Sequence, residues 1–314
     1  MKDKSIQCLR ALSILAVVLI HSLPNADSSI YVRQFINFCV AMFIFISGYL
    51  TDINIDDTKK FYKKRILRVI FPYLIWSAIF IVKSKDYNII SIIWRILTGQ
   101  GCNIYYYIIV YMQLIIVTPL FGKALKSKYS KIPYLLTPIS LILIYIYIFI
   151  GNPIPFPYNV LSFTVWSLFY YYGLQLKYLN KNLEISLNKN LIMYIIWLIL
   201  SIIEGILWNK HGNYSMAISQ IKISSILCSL YFIKVVMVIK NKIITNKAII
   251  MLGDYSFGVY LTHMFFIDIL KKFIPNYSVF FALIIVVIVL LLNCIFIYIG
   301  KLILKDKSKY LGFI

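Results

Sequence analysis

The chain has 314 residues, 61% of them hydrophobic and 14% charged, with a net charge of +21, and its mean hydropathy is +0.84. No soluble core needs that much apolar sequence, which excludes an ordinary globular domain in water and sets the chain in a membrane. The basic excess is what inner loops of a multi-pass protein carry and what anionic lipid attracts; with no supporting module it does not indicate nucleic-acid binding.

At roughly 17–25 residues per helical span, the apolar pattern predicts an all-α polytopic bundle of about ten transmembrane helices. They fall near 8–24, 33–51, 66–82, 104–122, 133–151, 160–177, 191–208, 216–239, 249–270 and 278–300. The first ends in Ser22-Leu23-Pro24-Asn25 without a small-x-small cleavage site, so it is expected to stay as a helix rather than leave as a signal peptide. Between the third and fourth spans, the stretch 83–103 with Ile89, Ile90, Ile92, Ile93, Trp94 and Ile96 reads as a short interfacial helix. The chain reads as one integral membrane domain over 1–314.

An even number of spans puts both termini on one side. Assigning that side to the cytoplasm places 22 of the 32 Lys and Arg inside, among them Lys2, the cluster at 59–68, Lys181 and Lys247. Seven fall outside (Arg33, Lys83, Lys85, Arg95, Lys210, Lys271 and Lys272), while Arg10, Lys222 and Lys234 lie within spans. The bias predicts cytoplasmic termini.

Arg10 and His21 stand on the first span. Eleven helical residues make about three turns, which puts both side chains near one face and roughly 16 Å apart along the axis. A guanidinium or imidazole in hydrocarbon costs from about 2.5 kcal/mol upward, so both are expected to turn to a partner, cavity or substrate. His21 suits general-base work, since an imidazole near pH 7 can take a hydroxyl proton; it can equally be a histidine satisfied at the outer interface, with Pro24, Asn25 and Asp27 just beyond. Arg10 could receive phosphates or a carbonyl oxygen through its fork of donors, or snorkel to the inner headgroups. Arg65 and Arg68, three apart, share a helix face and could clamp a phosphorylated ligand while Lys63 and Lys64 raise the local anion concentration, or else form an ordinary positive-inside stop. His263 is either a second acid/base group or a polar contact between helices. Asp268 and Glu204 are further intramembrane acids near span ends. Ser47 and Gly48 read as a small pair permitting close backbone approach. The five cysteines show no paired metal-ligand spacing, and no metal is expected.

Four segments in order resemble one family. Arg10-Ala-Leu-Ser-Ile-Leu-Ala-Val-Val-Leu-Ile-His21 matches the R-x10-H pattern of the acyltransferase family 3 membrane proteins. Phe43-Ile-Phe-Ile-Ser-Gly-Tyr-Leu50 resembles their Phe-rich Ser-Gly-Tyr ending of the second span, and Arg65-Ile-Leu-Arg68 followed by Pro72-Tyr73 resembles their R-x-x-R segment. Ser256-Phe-Gly-Val-Tyr-Leu-Thr-His263 resembles their late Ser-(Tyr/Phe)-Gly-Ile-Tyr-Leu-x-His motif. The fourth span, Tyr105 through Leu120, looks like the compact subgroup that modifies exopolysaccharide or wall glycans.

The resemblance implies transfer of an acyl group, commonly acetyl, from cytoplasmic acyl-coenzyme A to a hydroxyl of a cell-surface glycan or lipid-linked saccharide, in a bacterial cytoplasmic membrane. It implies Arg10, His21 and His263 as the catalytic set and Arg65, Arg68 and Lys64 as the coenzyme A contact. The rival reading from the residues is a transporter or flippase for such a saccharide, with Arg10, His21 and His263 lining a path; inverted repeats would favour it, and none is visible.

Overall fold

The computed structural model describes residues 3–179, 186–243, 245–274 and 277–313; Lys2 and Lys181, assigned above to the inner side, lie outside them. The described residues form helices and no strands: α1 (Lys4–Ser22), α2 (Asp27–Ile36), α3 (Phe38–Tyr49), α4 (Thr58–Ser84), α5 (Ile89–Leu97), α6 (Tyr106–Leu125), α7 (Leu136–Phe149), α8 (Tyr158–Leu161), α9 (Phe163–Leu179), α10 (Leu187–Lys210), α11 (Tyr214–Ala217), α12 (Ile223–Ile239), α13 (Lys247–Phe273) and α14 (Val279–Leu304). Eight helical stretches among them are long and apolar enough to cross a membrane. The protein is therefore an all-α polytopic bundle. The predicted spans at 160–177 and 249–270 fall on α9, which has 17 residues, and α13, whose Asp254, Ser256, Thr262 and His263 dilute its apolar character.

Side-chain caps mark where several helices begin. Asp3 Oδ1 accepts from the Ser5 and Ile6 amides at 2.9 and 3.3 Å, Asp57 caps α4 through the Lys60 amide, and Asn246 and Ser278 cap α13 and α14. Each satisfies an amide that the helix leaves without an internal partner, worth about 1 kcal/mol.

Two predicted spans are less regular than expected. The stretch read as a helix over 33–51 breaks between α2 and α3 at Asn37, and the one read over 216–239 is irregular from Ile218 to Lys222, between the short α11 and α12. Both interruptions are held by buried polar side chains, described below.

The chain divides into two compact units, residues 1–43 with 182–308 and 313–314, and residues 44–181 with 309–312. In the first, α1 packs on α13, α13 on α14, and α10 on α12 and α2. In the second, α9 packs on α6 and α7, and α4 on α6. Close approach in the second unit depends on two glycines: a Cβ on Gly48 would stand 2.1 Å from the Tyr170 carbonyl oxygen, and one on Gly173 would stand 2.3 Å from that of Phe45. Gly48 thus serves as the small packing residue the sequence suggests.

The interfacial segment resolves into α5. Ile90 is 79% exposed and Trp94 54%, a bare apolar face suited to the headgroup region. Its approach is fixed by Asp86, which accepts from the Ser91 hydroxyl at 2.5 Å and pairs with Arg95 at 3.7 Å. The Ser91 bond first, then the Asn88 amide and the Arg95 charge, hold the Asp86 carboxyl below its ordinary value.

Candidate active site

Two helices far apart in sequence bring the site together. α1 and α13 run parallel: a Cβ on Gly253 would lie 2.1 Å from the Gln7 carbonyl oxygen near their beginnings. Towards their far ends, the rings of His21 and His263 stand 5.5 Å apart, tilted by 45°. The register follows from glycine at 253, because a larger residue there would force the helices apart.

His263 is fully buried. Its Nδ1 lies 3.0 Å from the Val259 carbonyl oxygen and 2.9 Å from that of Tyr260. Carbonyl oxygens only accept, so in the neutral ring the proton sits on Nδ1 and Nε2 presents a lone pair. That Nε2 is buried with no hydrogen-bond partner among the described residues. A buried acceptor left open in this way costs free energy, about 1–3 kcal/mol, unless a ligand or a neighbouring donor fills it.

His21 is half-buried on the last turn of α1. The carbonyl oxygens of that turn, which a helix leaves unsatisfied, accept from elsewhere in the same unit. Arg33 Nη1 donates to Ile20 O at 3.4 Å, Lys271 Nζ to His21 O at 3.2 Å, and the Tyr277 hydroxyl to Ser22 O at 2.7 Å. Burial raises the Tyr277 phenol above its ordinary value, which keeps its proton in place for that bond.

Behind this turn lies a polar network that gives the irregular segment 218–222 its partners. Arg33 donates to Ile218 O from Nε at 3.3 Å and Nη2 at 3.1 Å, and Asn37 Nδ2 to Ser219 O at 3.2 Å. Lys222 is wholly buried; its ammonium donates to Gln34 Oε1 at 2.7 Å, Ala217 O at 2.9 Å and Ser201 O at 3.3 Å. Ser201 Oγ also donates to Gln34 Oε1, at 2.7 Å. Non-helical backbone survives at such a place only when its N–H and C=O groups are bonded internally. Glu204 accepts from the Ser224 amide at 3.2 Å and from its hydroxyl.

The predicted residues divide between the units. Arg10, half-buried on α1, joins His21 and His263 in the first. Arg65, Arg68 and Lys64 lie on α4 in the second. Arg65 is half-buried, donates from Nη2 to Leu50 O at 3.2 Å and sits 5.9 Å from the Phe61 ring centre, whereas Arg68 and Lys64 are exposed. Sequence reasoning gave no role to Arg33 and Lys271, counted only as outer charges, or to Gln34. Lys222 carried a signal, as an ammonium within an apolar stretch. No group of three or more His, Cys, Asp or Glu able to hold a metal occurs among the described residues.

Comparison with curated proteins and with solved structures returns no match. A family model described as an acyltransferase domain, that of acyltransferase family 3, matches residues 3–299 and so takes in both units and all of the residues above. The chain belongs to acyltransferase family 3 and is a multi-pass membrane acyltransferase.

Proposed function

We propose that the protein is an O-acetyltransferase of a bacterial cytoplasmic membrane, carrying an acyl group from acetyl-coenzyme A, or another acyl-coenzyme A, to a hydroxyl of a cell-surface glycan or lipid-linked saccharide. The observation that supports this reading best is the His21–His263 pair, with the His263 proton held on Nδ1 and its Nε2 lone pair open. Ester formation needs a base for the hydroxyl proton and an acid for the departing thiolate, and imidazole serves both needs near neutral pH.

In this mechanism a His21 ring nitrogen takes the proton as the hydroxyl oxygen forms its bond to the thioester carbonyl carbon. The tetrahedral intermediate then collapses, the carbon–sulfur bond breaks, and the proton passes to the thiolate. The products are the ester and free thiol. His263 Nε2 is the acceptor beside His21 that can share the proton while the imidazolium exists. Arg10, on the same helix, would bind a coenzyme A phosphate, and the same chemistry suits Arg65, Arg68 and Lys64 on α4.

The test is acyl transfer by purified protein from radiolabelled acetyl-coenzyme A, joined to chemical analysis of surface glycans from cells with and without the gene. Labelled ester in the glycan fraction, lost with His21→Ala at unchanged protein level, is the expected result. Normal glycan acylation in well-expressed His21→Ala cells would overturn it.

A further inference from the structure

At the opposite end of the helices that carry the histidines, the first unit holds a cavity of about 460 Å³. Three lysines on three helices converge on it: Lys4 from the first turn of α1, Lys247 from the first turn of α13 and Lys301 near the end of α14. None of the three pairs with a carboxylate among the described residues. Asp254 is the single acid on its wall, so the cavity carries an excess of positive charge.

Like charges gathered around one space repel, and the arrangement is favourable only when water or an anion neutralises them. Several features suit an anion. The lysine ammonium is a compact point charge that binds phosphate oxygens from any direction, unlike the planar fork that favours carboxylate. Lys247 opens a 27-residue helix, whose first-turn amides add positive potential on the same side. Lys301 stands 5.2 Å from the Tyr255 ring centre, which holds its ammonium at the cavity wall. Ile250 and Met251 supply an apolar surface for the organic part of an ester. The volume lies within the range of small-ligand pockets.

We propose that this cavity is a binding site for a phosphate ester. Its lining includes neither Arg65 nor Arg68, and it does not depend on which acyl donor the enzyme uses. Lys4 lies 17 residues before His21, roughly 25 Å along the helix, so a phosphate held here does not touch the histidines. Two sources have this chemistry: the headgroup of an anionic phospholipid, whose tails would follow the apolar faces of α13 and α14, and a soluble nucleotide-like phosphate.

The full chain in phosphatidylcholine nanodiscs separates them. One arm adds phosphatidylglycerol to the bilayer and counts retained lipid by native mass spectrometry; the other titrates 3′,5′-adenosine bisphosphate into pure phosphatidylcholine discs. Saturable binding in at least one arm is expected, weakened about tenfold or more in Lys247→Ala/Lys301→Ala and restored in Lys247→Arg/Lys301→Arg. The exposed Lys4→Ala, which disturbs no packing, should weaken the same arm about threefold. Retention in the lipid arm alone identifies a lipid site, and in the nucleotide arm alone a soluble-ester site. No retention by the wild-type chain in either arm, or binding indifferent to the alanine variants, overturns the proposal. Since neither arm requires turnover, the result is independent of whether acetyl-coenzyme A proves to be the donor.

Discussion

His263 holds its Nδ1 proton against the Val259 and Tyr260 carbonyls, 3.0 and 2.9 Å away, while its ring stands 5.5 Å from that of His21. A ring fixed in this manner has one tautomer and one orientation, and its Nε2 is left as a buried acceptor without a hydrogen-bond partner among the described residues. His263→Ala should therefore lower turnover by about 10²-fold or more, with normal membrane levels. His263→Asn, which can donate to the same carbonyls but offers no basic nitrogen, should not rescue turnover. Full rescue by asparagine would make His263 a packing contact between helices.

The α1–α13 register makes a second prediction. Gly253→Ala places a methyl group 2.1 Å from the Gln7 carbonyl oxygen, forcing the helices to shift at a cost of about 1–3 kcal/mol. A lower melting temperature in detergent is expected together with reduced acyl transfer, because the shift also displaces His21 from His263. Unchanged melting and activity would show that the helices are not in contact at this point.

Lys222 gives a test of the buried network. Lys222→Ala removes three donor contacts and opens a void, and should lower stability by about 1–3 kcal/mol. The check is thermal unfolding of purified protein, with protease susceptibility of the 211–222 segment as a local readout.

Arg65 and Arg68 should separate from each other. Phosphate contacts far from the reacting carbon contribute mostly uniform binding, so under the proposed function Arg68→Ala should raise KM for the acyl-coenzyme A donor more than it lowers kcat. Arg65→Ala should do the same and also cost stability, since Arg65 donates to the Leu50 carbonyl. Equal loss of kcat at unchanged KM for Arg68→Ala would assign it a role at the membrane boundary alone.

Orientation is open to single-cysteine labelling independently of activity. Positions in 123–131 and 240–243 should react only from the cytoplasm, and positions in 209–213 only from outside. The reverse pattern would place α4's basic cluster on the side opposite the proposed cytoplasmic donor and overturn that assignment.

What the sequence made legible was what depends on local chemistry. Apolar runs such as 278–300 placed α14 to within one residue at its start and four at its end, and isoleucines flanking Trp94 announced α5, because lipid and interface select composition directly. The order of Arg10, His21 and His263 in familiar motifs pointed to the family. The contact between the two histidines was not legible, since it depends on a parallel pairing of α1 with α13 that Gly253 permits and no periodicity records. The break at Asn37 and the late start of α12 were hidden for a related reason. Gln34, Asn37 and Lys222 look like isolated polar residues in apolar spans until each is seen supplying the hydrogen bonds that continuous helix would otherwise have made.

The pairing of α1 with α13 also sets a timetable for biogenesis. α1 is made before its partner, which follows only after more than two hundred further residues, on the order of tens of seconds at ordinary rates of synthesis. During that interval Arg10 and His21 sit on a helix whose principal neighbour does not yet exist. An insertase or another early helix must shelter them until α13 arrives, and a chain truncated before residue 247 should be recognised and degraded as an orphaned, charge-bearing helix.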